Sequence, residues 1–384
     1  MSHELATQED GSIAMAYRAG DAAPWHAPET NPQIVEAGAS IDTWAEAAGL
    51  NYDVECKPNY RYRRDPKTGA VDYVAIPDSH NIHRTDNGHV TGPYIAGQWQ
   101  PVQNRAILEV ADDIRAKHGH DIITAGALFG GESSWVQLET GHMEEVGPGD
   151  AIASRPLFVV RHTGRDANTF ARVMERVVCR NTLAKALSEK EADIFRHDHR
   201  VALDPEAVET ALGLNAESFG SFVSSAKAMA ARALTDGEAL EYFRAVMRGT
   251  EKTTDGGRVI HSEGVRKAFA YYTGQDFVAI GKEDESEAAR YVSARLDAIA
   301  RNVAAGLPED ITAPPADGIN PGHDLATTRG TVWGALNTVT WLADQRPVKN
   351  RGTAHNVASN LFGDGTGGAL KSRAHKAALE LMTA

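Results

Sequence analysis

The sequence predicts an α+β protein: a mixed sheet-and-helix N-terminal half containing a β-β-β-α unit, then a helical C-terminal half. Three observations carry this. Segments of period-two alternation such as Tyr60-Arg-Tyr-Arg, separated by glycine turns, fill most of the chain from Asn51 to Thr163. Beyond Asp204-Pro205 the apolar residues recur at helical spacing instead. Hydrophobic residues make up 42% and charged residues 24%, a globular composition that excludes a disordered chain. The 384 residues suffice for one large domain or two to three ordinary ones.

Residues 1–50 read as an arm ending in a short helix, with Asp42 as its cap and Gly49 as its stop. In the α+β core, 51–203, Tyr60-Arg-Tyr-Arg puts both tyrosines on one face and both arginines on the other. Asp65-Pro-Lys-Thr-Gly turns the chain into a second strand at Val71-Asp-Tyr-Val-Ala-Ile, and Asp86-Asn-Gly is a hairpin signal. Ile107, Val110, Ala111 and Ile114 mark a helix that stops at Gly119. The β-β-β-α unit follows, with strands at Ile122–Phe129, Ser133–Thr140 and Leu157–His162. Its helix is predicted from Asn168 to Ser188, with Phe170, Met174, Val177 and Val178 inward.

In the helical domain, 204–305, Asp204 and Asn215 suit N-caps. Apolar stripes run through Phe219, Phe222, Val223 and Met229, then Leu240, Phe243 and Met247, then Val292, Leu296, Ile299 and Val303. The proline- and glycine-rich stretch 306–328 reads as a linker or surface loop. Two helices, Arg329–Ala343 and Gly368–Met382, close the C-terminal region 329–384.

No apolar run approaches the ~20 residues that span a bilayer, and the N-terminus lacks a basic-then-apolar signal, so no membrane partner is expected. Two cysteines, Cys56 and Cys179, are too few for a disulfide framework, which predicts a reduced cytoplasmic protein. Cys179 is expected to be an ordinary thiol. Lys and Arg number 39 against 52 Asp and Glu, a net charge of −13, which argues against a body coated in basic charge.

The motif for a phosphate-binding loop is absent, so no nucleotide cofactor is expected. Gly363-Asp-Gly-Thr-Gly-Gly has the spacing of a dinucleotide fingerprint, but a helix is predicted before it where a strand is required. His197-Asp-His199 reads as a solvated polar loop between Arg196 and Arg200, and the His80, His83 and His89 group as structural or surface. No catalytic residue and no metal ligand stands out, and no cofactor is expected. Of the tryptophans, most are expected to anchor the core or interfaces, with Trp99 the exception in its polar, turn-like flanks.

The basic residues cluster despite the acidic total. Lys57, Arg61, Arg63, Arg64 and Lys67 interleave with Tyr60 and Tyr62 around one hairpin. Arg172, Arg176 and Arg180 recur at i, i+4 and i+8, one face of the predicted helix, with Arg161 and Arg165 feeding it. Cations that track phosphates beside rings that stack on bases are what a single-strand binder requires. The alternative is a solvated face on which the helix arginines pair with Glu175 and other acids.

Ala23-Pro-Trp-His, Arg176-Val-Val-Cys-Arg-Asn-Thr-Leu, Trp333-Gly-Ala-Leu-Asn-Thr-Val-Thr, Leu361-Phe-Gly and Leu370-Lys occur in that order. Together they resemble the phage/plasmid-like proteins built on domain of unknown function 932. That resemblance implies a gene of a mobile element working in a bacterial cytoplasm. The β-β-β-α unit is also similar, in topology, to phage single-strand annealing proteins of the RecT and Red-beta type, which work without ATP as rings or filaments. The expectation is therefore ATP-independent binding of single-stranded DNA, extending to annealing in phage or plasmid recombination, by a homo-oligomer. Its rivals are a structural or host-interaction protein without DNA binding, and a nuclease or nucleotide-processing enzyme.

Overall fold

The computed structural model describes residues 13–21, 32–95, 99–164, 166–176, 181–185, 194–199, 201–211, 216–247, 252–253, 259–273, 325–345 and 365–383. Its centre is a nine-stranded sheet. A long strand β9 (Asp150–Arg161) pairs along one whole edge with β10 (Asn168–Arg176). The opposite edge of β9 is shared by β7 (Ser133–Leu138) and β8 (Met143–Gly147). In the same manner β11 (Asn181–Lys185) and β12 (Ile194–His197) share the outer edge of β10. Beyond β7 lie β6 (Ile122–Leu128), β1 (Met15–Arg18) and β2 (Gln33–Val35), and only the β1–β2 pair is parallel.

The segment before Asn51, expected as an arm ending in a helix, thus also supplies two strands of the main sheet. Its helix α1 (Ile41–Ala47) is capped by Ser40, whose hydroxyl accepts from the Thr43 amide at 3.2 Å, and not by Asp42. Asp42 instead sits in the first turn and pairs with Arg105. Trp44 of α1 and Ile107, Leu108, Ala111 and Ile114 of α2 (Asn104–His118) pack on Val136, Phe158 and Phe170 of the sheet. Gly119 ends α2 at φ +73°, the left-handed conformation that glycine adopts without steric cost. The opposite face carries Met15, Trp135, Leu157, Val159 and Val173.

The largest difference from the sequence reading is at 168–176. The predicted helix Asn168–Ser188 is replaced by β10, and 181–185 forms β11. The physical reason is that residues four apart share a face in a strand as well as in a helix. Phe170, Met174 and the arginines fit both periods, so the spacing did not discriminate. What distinguishes β10 is that both of its faces are buried, with Thr169, Ala171, Val173 and Glu175 inside as well. The unit is therefore a run of antiparallel strands through β10, with no helix among the described residues of 168–188.

A second core holds the helices α4 (Ala216–Ala231), α5 (Asp236–Met247), α6 (Glu263–Tyr272), α7 (Val332–Gln345) and α8 (Gly365–Thr383). The expected stripe Phe219, Phe222, Val223 and Met229 is buried in it, and Ile152 and Met174 join it from the sheet. Before it, α3 (Pro205–Ala211) starts where Asp204 accepts from the Glu206 amide at 3.0 Å. The stripe at 292–303, the Asn215 cap, Cys179 and residues 306–324 of the expected linker lie outside the described residues. No helix among the described residues is long and apolar enough to cross a membrane.

Candidate nucleic-acid interface

A separate three-stranded sheet is built from β3 (Val54–Arg64), β4 (Val71–Arg84) and β5 (Val90–Ile95), joined in that order. The strands β3 and β4 form a long arm. At its root Tyr52, Val54 and Ile82 make a small core of their own. From Tyr60 to Asp78 every residue is exposed except the half-buried Val74. Five of these rungs are paired in regular register, so the residues on each face follow directly from the pairing.

Tyr62 stands opposite Tyr73, Tyr60 opposite Ala75 and Arg64 opposite Val71. One face of the arm thus carries three tyrosines, which are 56%, 69% and 71% exposed for Tyr60, Tyr62 and Tyr73. The other face carries Arg61 opposite Val74 and Arg63 opposite Asp72, the latter an ion pair at 3.6 Å in solvent. Lys67 lies in the tip turn, where Asp65 accepts from the amides of Lys67 and Thr68 at 2.7 and 3.2 Å. Those amide bonds hold the Asp65 carboxyl below its usual pKa. Lys57 pairs with Glu55. From Lys57 to Ala75 there are five cations and two carboxylates, on a chain whose net charge is −13.

The arm is fixed at its root. The Gln103 side chain accepts from the Val54 amide at 2.8 Å and donates to the Val54 carbonyl at 3.0 Å. The Arg84 guanidinium lies 3.7 Å over the Tyr52 ring, binds Asp86 through two nitrogens, and donates to the Gly130 carbonyl at 3.0 Å. Phe129, Gly130 and Gly131 are three successive residues at positive φ, and Phe129, at +54°, is in a conformation that costs a side chain roughly 1 kcal/mol or more. The buried His162 faces the carbonyls of Gly131 and Val102 at 3.1 and 3.0 Å, and burial lowers its pKa.

Of the other predicted contacts, Arg172 and Arg176 do not join the arm on a shared surface. Arg172 and Arg176 are 1% and 0% exposed, so the exposed stripe expected of them is corrected to two buried guanidinium groups. Arg176 donates to Asp150 at 2.5 Å, while the other oxygen of Asp150 accepts from Thr327 at 2.5 Å and from the Trp333 indole at 3.0 Å. Deep in the same sheet Arg155 meets Glu175 at 2.6 Å and Glu139 at 3.2 Å. A buried charge is tolerated when it is paired, which is why Arg176 and Arg155 carry carboxylates with them. Arg161 is half-buried at the end of β9, and Arg165 and Arg180 lie outside the described residues.

His197 and His199 are buried, where a solvated loop was expected. Asn168 contacts the His197 Nδ1 at 3.3 Å, the Asp166 carbonyl lies 2.8 Å from the His199 Nε2, and Trp99 packs on the His199 ring. Among the described residues no group of three or more His, Cys, Asp or Glu side chains could hold a metal. Two residues escaped the sequence reading. Tyr73 was legible in principle, since it mirrors Tyr62 across the Asp65 turn. Asp150 follows Gly147-Pro-Gly, a local turn signal that gives no hint of a partner as distant as Trp333.

Residues 94–361, more than half of the chain, match the domain of unknown function DUF932. The chain belongs to that family. No curated protein and no solved structure matches it. The DUF932 region contains Asp150, Arg176 and Trp333, so two of the stretches on which the resemblance rests meet on one carboxylate. The strands β3 and β4 precede that region.

Proposed function

We propose that this protein binds single-stranded DNA without ATP, through the β3–β4 arm, as a homo-oligomer of a phage or plasmid recombination system, with strand annealing as the outcome. One observation carries the reading: three exposed tyrosines and a cluster of cations on an arm that stands out from an acidic chain. Rings stack on bases of any sequence, and cations attract the backbone. The competing reading, an arm that docks on another protein of the same mobile element, is favoured by the burial of Arg172 and Arg176, which removes them from any DNA path. Fluorescence anisotropy with a labelled oligothymidylate tests the proposal. Binding at low salt that weakens as salt is raised is expected. No binding at low salt removes it.

A further inference from the structure

We infer that the tyrosine face of the arm is a stacking platform for splayed, unpaired bases, and that phosphates meet it only at Arg64 and the tip. This rests on the single-strand reading and assigns the parts of the strand to the parts of the arm. Tyr60, Tyr62 and Tyr73 lie on one face, and none of their side chains has a hydrogen-bond or ring partner among the described residues. Tyr60 and Tyr62 are two residues apart along β3, roughly 7 Å at the rise of a strand. Successive stacked bases of one strand in a duplex are only about 3.4 Å apart. The platform therefore cannot continue a helical stack. It suits bases that have been pulled apart, one to a ring, and a duplex offers no open base face for it.

Charge supports the same division. The tyrosine face holds a single cation, Arg64, and Lys67 stands at the tip next to it. Arg61 and Arg63 point to the opposite face, Arg63 is already paired with Asp72, and Lys57 with Glu55. A strand lying on the rings thus has two cations for its phosphates. With a slope of about −0.7 per phosphate contact, the logarithm of affinity falls by about 1.4 per decade of salt for two contacts and by about 3.5 for five.

The test compares a labelled oligothymidylate with a strand of equal length that has abasic sugars in place of thymidines, and with the duplex, on the full chain across a salt series. Expected are binding of the oligothymidylate with a slope near −1.4, and at least tenfold weaker binding of the abasic strand and of the duplex. Tyr73→Ala should weaken the oligothymidylate about tenfold and Tyr73→Phe should restore it, because the ring and not the hydroxyl carries the contact. Equal binding of abasic and normal strands with a slope near −3.5, or an unaffected Tyr73→Ala, overturns the platform while leaving single-strand binding intact. Absence of binding to every strand overturns both.

Discussion

At Asp150 a carboxylate without solvent contact is held by Arg176, Thr327 and Trp333, and it is a point where the sheet and α7 are tied together. Removing it leaves the Arg176 guanidinium buried without its partner. Asp150→Ala should therefore cost about 3–5 kcal/mol, read as a shift in the urea midpoint. Adding Arg176→Met to that variant should recover part of the loss, because the double change leaves no orphaned charge. Additive losses would show that the pair is not coupled. The sequence could not disclose this clamp, since its four members span residues 150 to 333 and no local pattern relates them. The arginines were visible, but their spacing of four places them on one face of a helix or a strand alike. Burial, which decides between a DNA contact and an internal ion pair, is a property of what packs on top.

Among the elements, α8 carries an ionisable group inside the helical core. Burial pushes His375 down to about 4, so the folded chain holds its imidazole neutral. The unfolded chain takes up that proton near the ordinary value of about 6.5. Stability is thus complete above that pH and is lost progressively as the pH falls from about 6.5 to about 4, by roughly 3 kcal/mol in total. His199 and His162, also lowered by burial, act in the same direction. Thermal unfolding at pH 7 and pH 4.5 should show a smaller acid loss in His375→Leu than in the parent chain. An identical loss would assign the effect to other groups. The elements themselves were largely legible: α2, the Asp86-Asn-Gly hairpin, β6, β7 and the closing helices follow period and turn chemistry. The short β8 and the N-terminal strands escaped, because a three- to five-residue strand has too few alternations to register.

For the whole molecule, the arm divides into a root that is built into the fold and a distal half that is not. Replacing residues 61–74 with Asn-Gly, which joins the paired Tyr60 and Ala75 by a tight turn, should leave the melting temperature nearly unchanged and abolish single-strand binding. A folded truncation that binds as well as the parent would move the function elsewhere in the chain. Tyr60, Tyr62 and the cations of the candidate site, and their separation onto two faces, were evident in the sequence, while the addition of Tyr73 to the tyrosine face needed the cross-strand register. The distal rungs leave the outer edges of both β3 and β4 without a neighbouring strand among the described residues. Open edges beside Tyr62, Val71 and Tyr73 are a template for pairing between molecules. On that view Arg61, Arg63 and Asp72 are gatekeepers: their charges keep one arm from adding to the next, and Arg61→Thr/Arg63→Thr should form more thioflavin-binding aggregate than the parent chain as its concentration rises.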